Sequence, residues 1–103
     1  MLDFEFATHE EICAEIGRRL KSQRLAQNLL QKDLAARAGV SPGTIKNLES
    51  KGQASLESWT RIVMALGLAD ELVPLFALKQ TSIRQLEQVQ AASVRKRASR
   101  SVR

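Results

Sequence analysis

Apolar residues recur at three- and four-residue steps over most of this chain, and nearly every such run has a recognisable start or stop. Thr8 followed by Glu11 is a capping box, and Ile12, Ile16 and Leu20 form one stripe behind it. A helix is therefore predicted from about His9 to Gln27, with Asn28 as a left-handed terminator. Leu34, Ala35 and Ala38 give a second, shorter helix beginning at Gln31, which Gly39 breaks. The pattern restarts at Ser41-Pro42, a capping serine followed by a proline suited to the first helical position. From there Ile45 and Leu48 turn inward, and Ser41, Gly43, Thr44, Lys46 and Asn47 are left facing out.

Residues 50–54 read as a loop, and Ser55 caps a fourth helix with Leu56, Trp59, Ile62, Val63 and Leu66 inward. Trp59 lies on that apolar stripe and is assigned to the core rather than to base stacking. A fifth helix is expected at about Asp70 to Leu78, disturbed by Pro74, and Thr81-Ser82 can cap one more segment carrying Ile83, Leu86 and Val89. Only the amino terminus departs from helical spacing. Leu2, Phe4 and Phe6 alternate with Asp3 and Glu5, which suits a short strand. That strand either pairs with its copy in a second subunit or packs as an arm on its own bundle.

The expected class is all-α, in one domain, since 103 residues are too few for two. Its expected divisions are an arm at 1–8, a helical domain at 9–78, and an extension at 79–103, disordered from about 93 where small, polar and basic residues leave almost nothing to bury. Charge is unevenly placed. Residues 1–17 hold five acids and no Lys or Arg, residues 18–67 hold nine basic residues against three acids, and Arg95, Lys96, Arg97, Arg100 and Arg103 close the chain without an acid, leaving a formal net charge of +5. A polyanion is the partner such a distribution suits, although a solvated surface with a solubilising tail has the same signature. Cys13 is the only cysteine, which points to a reducing compartment. The acidic amino terminus does not read as a secretory signal, and the run from Ile62 to Leu66 is far too short for a membrane. A soluble cytoplasmic protein, nucleoid-associated, is expected.

Gln31, Ala35, Gly39, Ile45, Leu48 and Glu49, with the ALGL ending the fourth helix, resemble the helix-turn-helix of the Cro/C1-type (Xre) regulators over roughly Ile16 to Phe76. The resemblance implies a five-helix, lambda-repressor-like DNA-binding domain, and a dimeric regulator of transcription that reads the major groove of double-stranded DNA with the helix at 42–50. By position it assigns Ser41, Pro42, Gly43, Thr44, Lys46 and Asn47 to base contacts. It assigns Gln31, Lys32, Lys51, Gly52 and Gln53 to phosphates, and pairs Arg24 with Glu49 as a structural ion pair. Two departures stand out. Leu30 occupies a position usually given to a capping residue, and Pro42-Gly43 replace side chains that often read bases, which shifts direct readout to Lys46 and Asn47.

Outside the motif, the LF-rich fifth helix and short basic tail are similar to HipB-like antitoxins, which implies a HipA-type kinase toxin as an alternative partner. Catalysis is disfavoured. His9 and Cys13, four apart, are too few for a zinc site and are read as a capping-turn histidine and a packed cysteine. No Gly-rich phosphate loop or nucleophile elbow occurs, and no cofactor or metal is expected.

Overall fold

Three of the four long helices among the described residues are started by a side chain that satisfies the helix's first turn. A computed structural model describes residues 2–78 and 88–92. In α1, His9–Ala26, Thr8 Oγ1 accepts the Glu11 N–H at 3.1 Å while the Glu11 carboxylate accepts the Thr8 N–H at 3.0 Å. Asn28 then turns the chain with φ of 57°. The serines before α3, Pro42–Lys51, and α4, Leu56–Ala65, each accept a backbone N–H three residues on, from Thr44 and Ser58, at 3.1 Å. The exception is α2, Gln31–Ala38, where Leu30 has no side-chain acceptor. Half of the lost cap is restored by Asp33, whose carboxylate accepts the Leu30 N–H at 3.2 Å.

Between α2 and α3, Gly39 sits at φ of 70°, and the Val40 N–H returns to the Ala35 carbonyl at 3.0 Å. A left-handed residue here closes the orphan carbonyls of α2 and reverses the chain within three residues. The core then forms where the four long helices meet. Leu34, Ile45, Leu48 and Ile62 are its fully buried large side chains, joined by Leu20, Leu29, Ala35, Ala38, Val63 and Leu66. Trp59 is half-buried against this cluster. Gln27, just past the end of α1, donates its side-chain amide to the Leu66 carbonyl at 2.8 Å and so ties α1 to the end of α4.

Four details differ from the sequence expectations. The first residues form no strand: the Asp3 carboxylate accepts the Glu5 N–H at 3.1 Å and the Asp3 carbonyl accepts the Phe6 N–H at 3.2 Å. An aspartate that hydrogen-bonds its own neighbouring backbone offers the chain a turn in place of a ladder. The fifth helix, α5, is only Ala69–Leu72, because Pro74 has no N–H for the Asp70 carbonyl and its ring crowds that oxygen. Val73 takes the carbonyl instead, at 3.3 Å in a tighter turn. Leu56 is exposed rather than inward, being the first residue of α4 with the helix axis carrying it beyond the buried cluster; Cys13 is exposed rather than packed.

The chain divides into one unit ending at Val73 and a second starting at Pro74. In the second, 74–76 continue a turn and 88–92 are helical. The predicted helix start at Thr81 and the tail from Ser93 lie outside the described residues.

The α1–α3 seam is set by two glycines. A Cβ on Gly17 would overlap the Leu48 carbonyl oxygen, and one on Gly52 would overlap the Cys13 carbonyl, so backbone touches backbone at both points. Gly17→Ala is therefore expected to destabilise the fold by roughly 1–3 kcal/mol, the range for overpacking a tight site, despite alanine's better helix propensity. Urea unfolding checks this, and a Gly17→Ala protein as stable as wild type would mean the seam is looser than described.

Candidate nucleic-acid interface

With Ile45 and Leu48 buried, helical spacing leaves Gly43, Lys46, Asn47 and Ser50 on the opposite, exposed face of α3. Pro42 and Gly43, at the amino tip, are exposed and carry no side-chain hydrogen-bonding group. Ser41 and Thr44 are partly occupied with each other, their hydroxyls 2.9 Å apart. Ser50 bonds back to the Lys46 carbonyl at 2.8 Å. Lys46 and Asn47 make no side-chain hydrogen bond to another described residue and present an ammonium and an amide outward.

The one carboxylate of α3 is withdrawn from this surface. Glu49 is buried and accepts Arg24 Nε at 2.6 Å and Nη2 at 3.0 Å in a bidentate pair; Gln31 Nε2 donates to it at 3.0 Å. Arg24 spends its remaining arm on the Leu29 carbonyl, at 2.7 Å. Burial alone pushes the Glu49 carboxyl pKa up, yet the hydrogen bonds from Arg24 and Gln31, with the charges of Arg24 and Lys21, outweigh it and hold the group below its ordinary value. The hydrogen bonds to Glu49, with its negative charge, raise the pKa of Arg24 in turn. A single neutralised group thus joins α1, the start of α2 and the end of α3.

Lys32, Lys51 and Gln53 are exposed; Gln31 is half-buried with its amide on Glu49. Gly52, assigned to the phosphate-approaching loop by sequence, caps α3 at φ of 69° and presses on Cys13. Its lack of a side chain is required by that packing. Lys51 and Gln53 line a groove of about 380 Å³ together with His9, Glu10 and Cys13. Sequence reasoning missed Gly17, although a lone glycine inside a helical pattern is itself a signal of close packing. It also missed the Gln31–Glu49 bond, which joins residues 18 apart.

The helix-turn-helix family model matches residues 20–72, from the buried end of α1 through α5. The chain belongs to the Cro/C1-type helix-turn-helix family. Among curated proteins, none matches the chain. Members of this family are DNA-binding regulators of transcription and are generally not enzymes. Among the described residues of this helix-turn-helix protein, no group of three His, Cys, Asp or Glu could hold a metal, and no helix is long and apolar enough to cross a membrane.

The buried pair predicts an acid limb. A carboxyl with a folded pKa below its unfolded value stabilises the fold above the unfolded value, and that stability is lost as pH falls through the folded one. Stability should decline as pH drops below about 4.5, the ordinary value for this group. Glu49→Gln should lower the neutral-pH plateau and flatten this decline, leaving the slope due to Glu11 and Glu15, whose pKa values hydrogen bonds from Thr8 and from Arg19 and Arg18 also lower. Arg24→Ala, which strands the buried carboxylate, should cost about 3–5 kcal/mol at neutral pH. Denaturant titrations across the acid range measure both, and an unchanged slope in Glu49→Gln excludes Glu49 as the titrating group.

Proposed function

We propose that this protein is a dimeric, sequence-specific repressor that inserts α3 into the major groove of double-stranded DNA. The observation that carries the reading is the outer face of α3, which offers Lys46 and Asn47 with its own carboxylate buried and neutralised. A lysine ammonium suits the guanine O6 and N7 acceptors, and an asparagine amide can bridge adenine N6 and N7. Ser41 and Thr44 add shorter-range contacts to bases or phosphates, and Pro42 and Gly43 let the tip approach closely. Gln31, Lys32, Lys51, Gly52 and Gln53 serve the phosphate backbone, which positions the helix without reading sequence.

Two reading side chains per half-site are few. Each good bidentate contact discriminates by about 1–3 kcal/mol, so two copies on a two-fold site, or DNA shape, must supply the rest. Occlusion of a promoter then follows from occupancy alone. The protein so read works in the cytoplasm, on the nucleoid.

A second reading has support in exposed apolar residues: Val73 closes the first unit exposed, and in the second unit Leu75, Phe76 and Leu78 are exposed as well. Unpaired apolar side chains mark interaction surfaces. A second copy of the chain fits them, and so does a protein partner such as a HipA-type kinase toxin, which would make the chain an antitoxin repressing its own operon. Purification from the native host separates the two: a chain that comes down alone, with no kinase-like gene beside its own, excludes the antitoxin.

For the interface itself, Lys46→Ala with Asn47→Ala should abolish preference for a selected operator over random duplex. Lys51→Ala should weaken both and reduce the salt slope by about one. Binding titrations on selected and random duplexes decide, and normal discrimination by the double variant would refute α3 as the reader.

A further inference from the structure

Cys13, Gly17 and Arg24 of α1 each meet α3 or the glycine that caps it. Cys13 lays its carbonyl oxygen against Gly52, Gly17 abuts the Leu48 carbonyl, and Arg24 holds Glu49. At about 100° per residue, positions 13, 17 and 24 fall on one narrow stripe, which is the α1–α3 seam. Leu20 and Lys21 flank that stripe on opposite sides. Leu20 is buried in the core, which makes the flank of Lys21 the outer edge of the seam. The side chain of Lys21 is accordingly exposed, and its charge still reaches Glu49 and helps to keep that carboxyl ionised. Gln31, the first residue of α2, meets the same carboxylate. Lys21 thus stands on the outer flank of the α1–α3 seam, within electrostatic range of the carboxylate that Arg24 and Gln31 share.

Three exposed arginines of the unit have intramolecular partners, whereas Lys32, Arg37, Lys46 and Lys51, like Lys21, have no ion pair among the described residues. Arg18 and Arg19 share Glu15, and Arg61 bonds Glu57 at 2.9 Å. Both oxygens of Glu49 are already taken by Arg24 and Gln31, and Lys21 makes no ion pair with any described residue. An unpaired, exposed ammonium on the flank of the α1–α3 seam has the chemistry to meet an anion that runs along that flank.

We infer that Lys21 is a further phosphodiester contact, which makes α1 a third element of the DNA interface. The inference rests on the reading of α3 as the groove-inserted helix and extends it. Cys13, beside the Lys51–Gln53 loop, lies eight residues from Lys21, about 12 Å along α1. Lys21 and Lys51 are therefore far enough apart to engage separate phosphates. The contact carries no sequence information, since it meets only backbone.

The test is binding to a mixed-sequence double-stranded DNA over a salt series, for wild type, Lys21→Gln, Lys21→Arg and Arg37→Gln. Arg37 is the control, an exposed cation that lines a separate groove between α2 and α4 with Arg61 and Met64. Lys21→Gln should reduce the slope of log affinity against log salt by about one, with no more than a small drop in melting temperature, since Lys21 is the smallest of the influences that lower the Glu49 pKa. Lys21→Arg should restore the slope, and Arg37→Gln should leave it alone. An unchanged slope in Lys21→Gln overturns the inference and leaves the α3 reading standing, and a lowered melting temperature with unchanged slope assigns Lys21 to the fold. Failure of wild type to bind duplex at all overturns both.

Discussion

The bidentate bond between Arg24 and Glu49 is the constraint on which the arrangement of this domain depends. It joins the last turn of the first helix to the last turn of the third, and through Gln31 it reaches the first residue of the second. Buried ion pairs are seldom net sources of stability, because desolvation offsets most of the attraction. Their strength is directional: two parallel N–H···O bonds fix position and angle together. Here that directional grip falls on a helix otherwise held by non-directional packing of Ile45 and Leu48. The pair also removes from the exposed surface the only carboxylate that α3 owns. Orientation and electrostatics are settled by one contact.

Around it, much of the fold was legible in the sequence because the signals are local. Thr8 with Glu11, Ser41 with Thr44, and Gly39 are caps and turns whose partners lie within three or four residues, and helical spacing alone separated Ile45 and Leu48 from Lys46 and Asn47. What escaped depends on residues distant in the chain or on competition within a short one. Alternating Leu2, Phe4 and Phe6 read as a strand, but alternation carries no force without a partner strand, and Asp3 offered the backbone a nearer hydrogen bond. Pro74 was recognised as a disturbance, and its missing N–H proved sufficient to end α5 at Leu72. Leu56 sat on the right helical face but at the wrong end of it.

The candidate interface was legible in its membership and not in its internal bonding. Nothing in the order of residues says that the Gln31 amide turns toward Glu49, or that Ser41 and Thr44 spend part of their hydrogen-bonding capacity on each other. Those preferences arise only when helices meet, and they narrow the chemistry left for a ligand. They also explain how so basic a segment keeps a defined shape: its arginines at 18, 19, 24 and 61 are each bonded to a carboxylate, while Arg37 and lysines 21, 32, 46 and 51 are not.

The backbone-on-backbone contacts at Gly17 and Gly52 have a consequence for how such a domain can change. Where helices are spaced by side chains, altering a side chain alters the spacing. Here main-chain atoms set the distance between α1 and α3, and those atoms are the same whatever residues occupy positions 43, 46, 47 and 50. The outer face of α3 is thereby insulated from the scaffold beneath it. Substitutions there can explore new ligands one residue at a time without moving the helix that presents them.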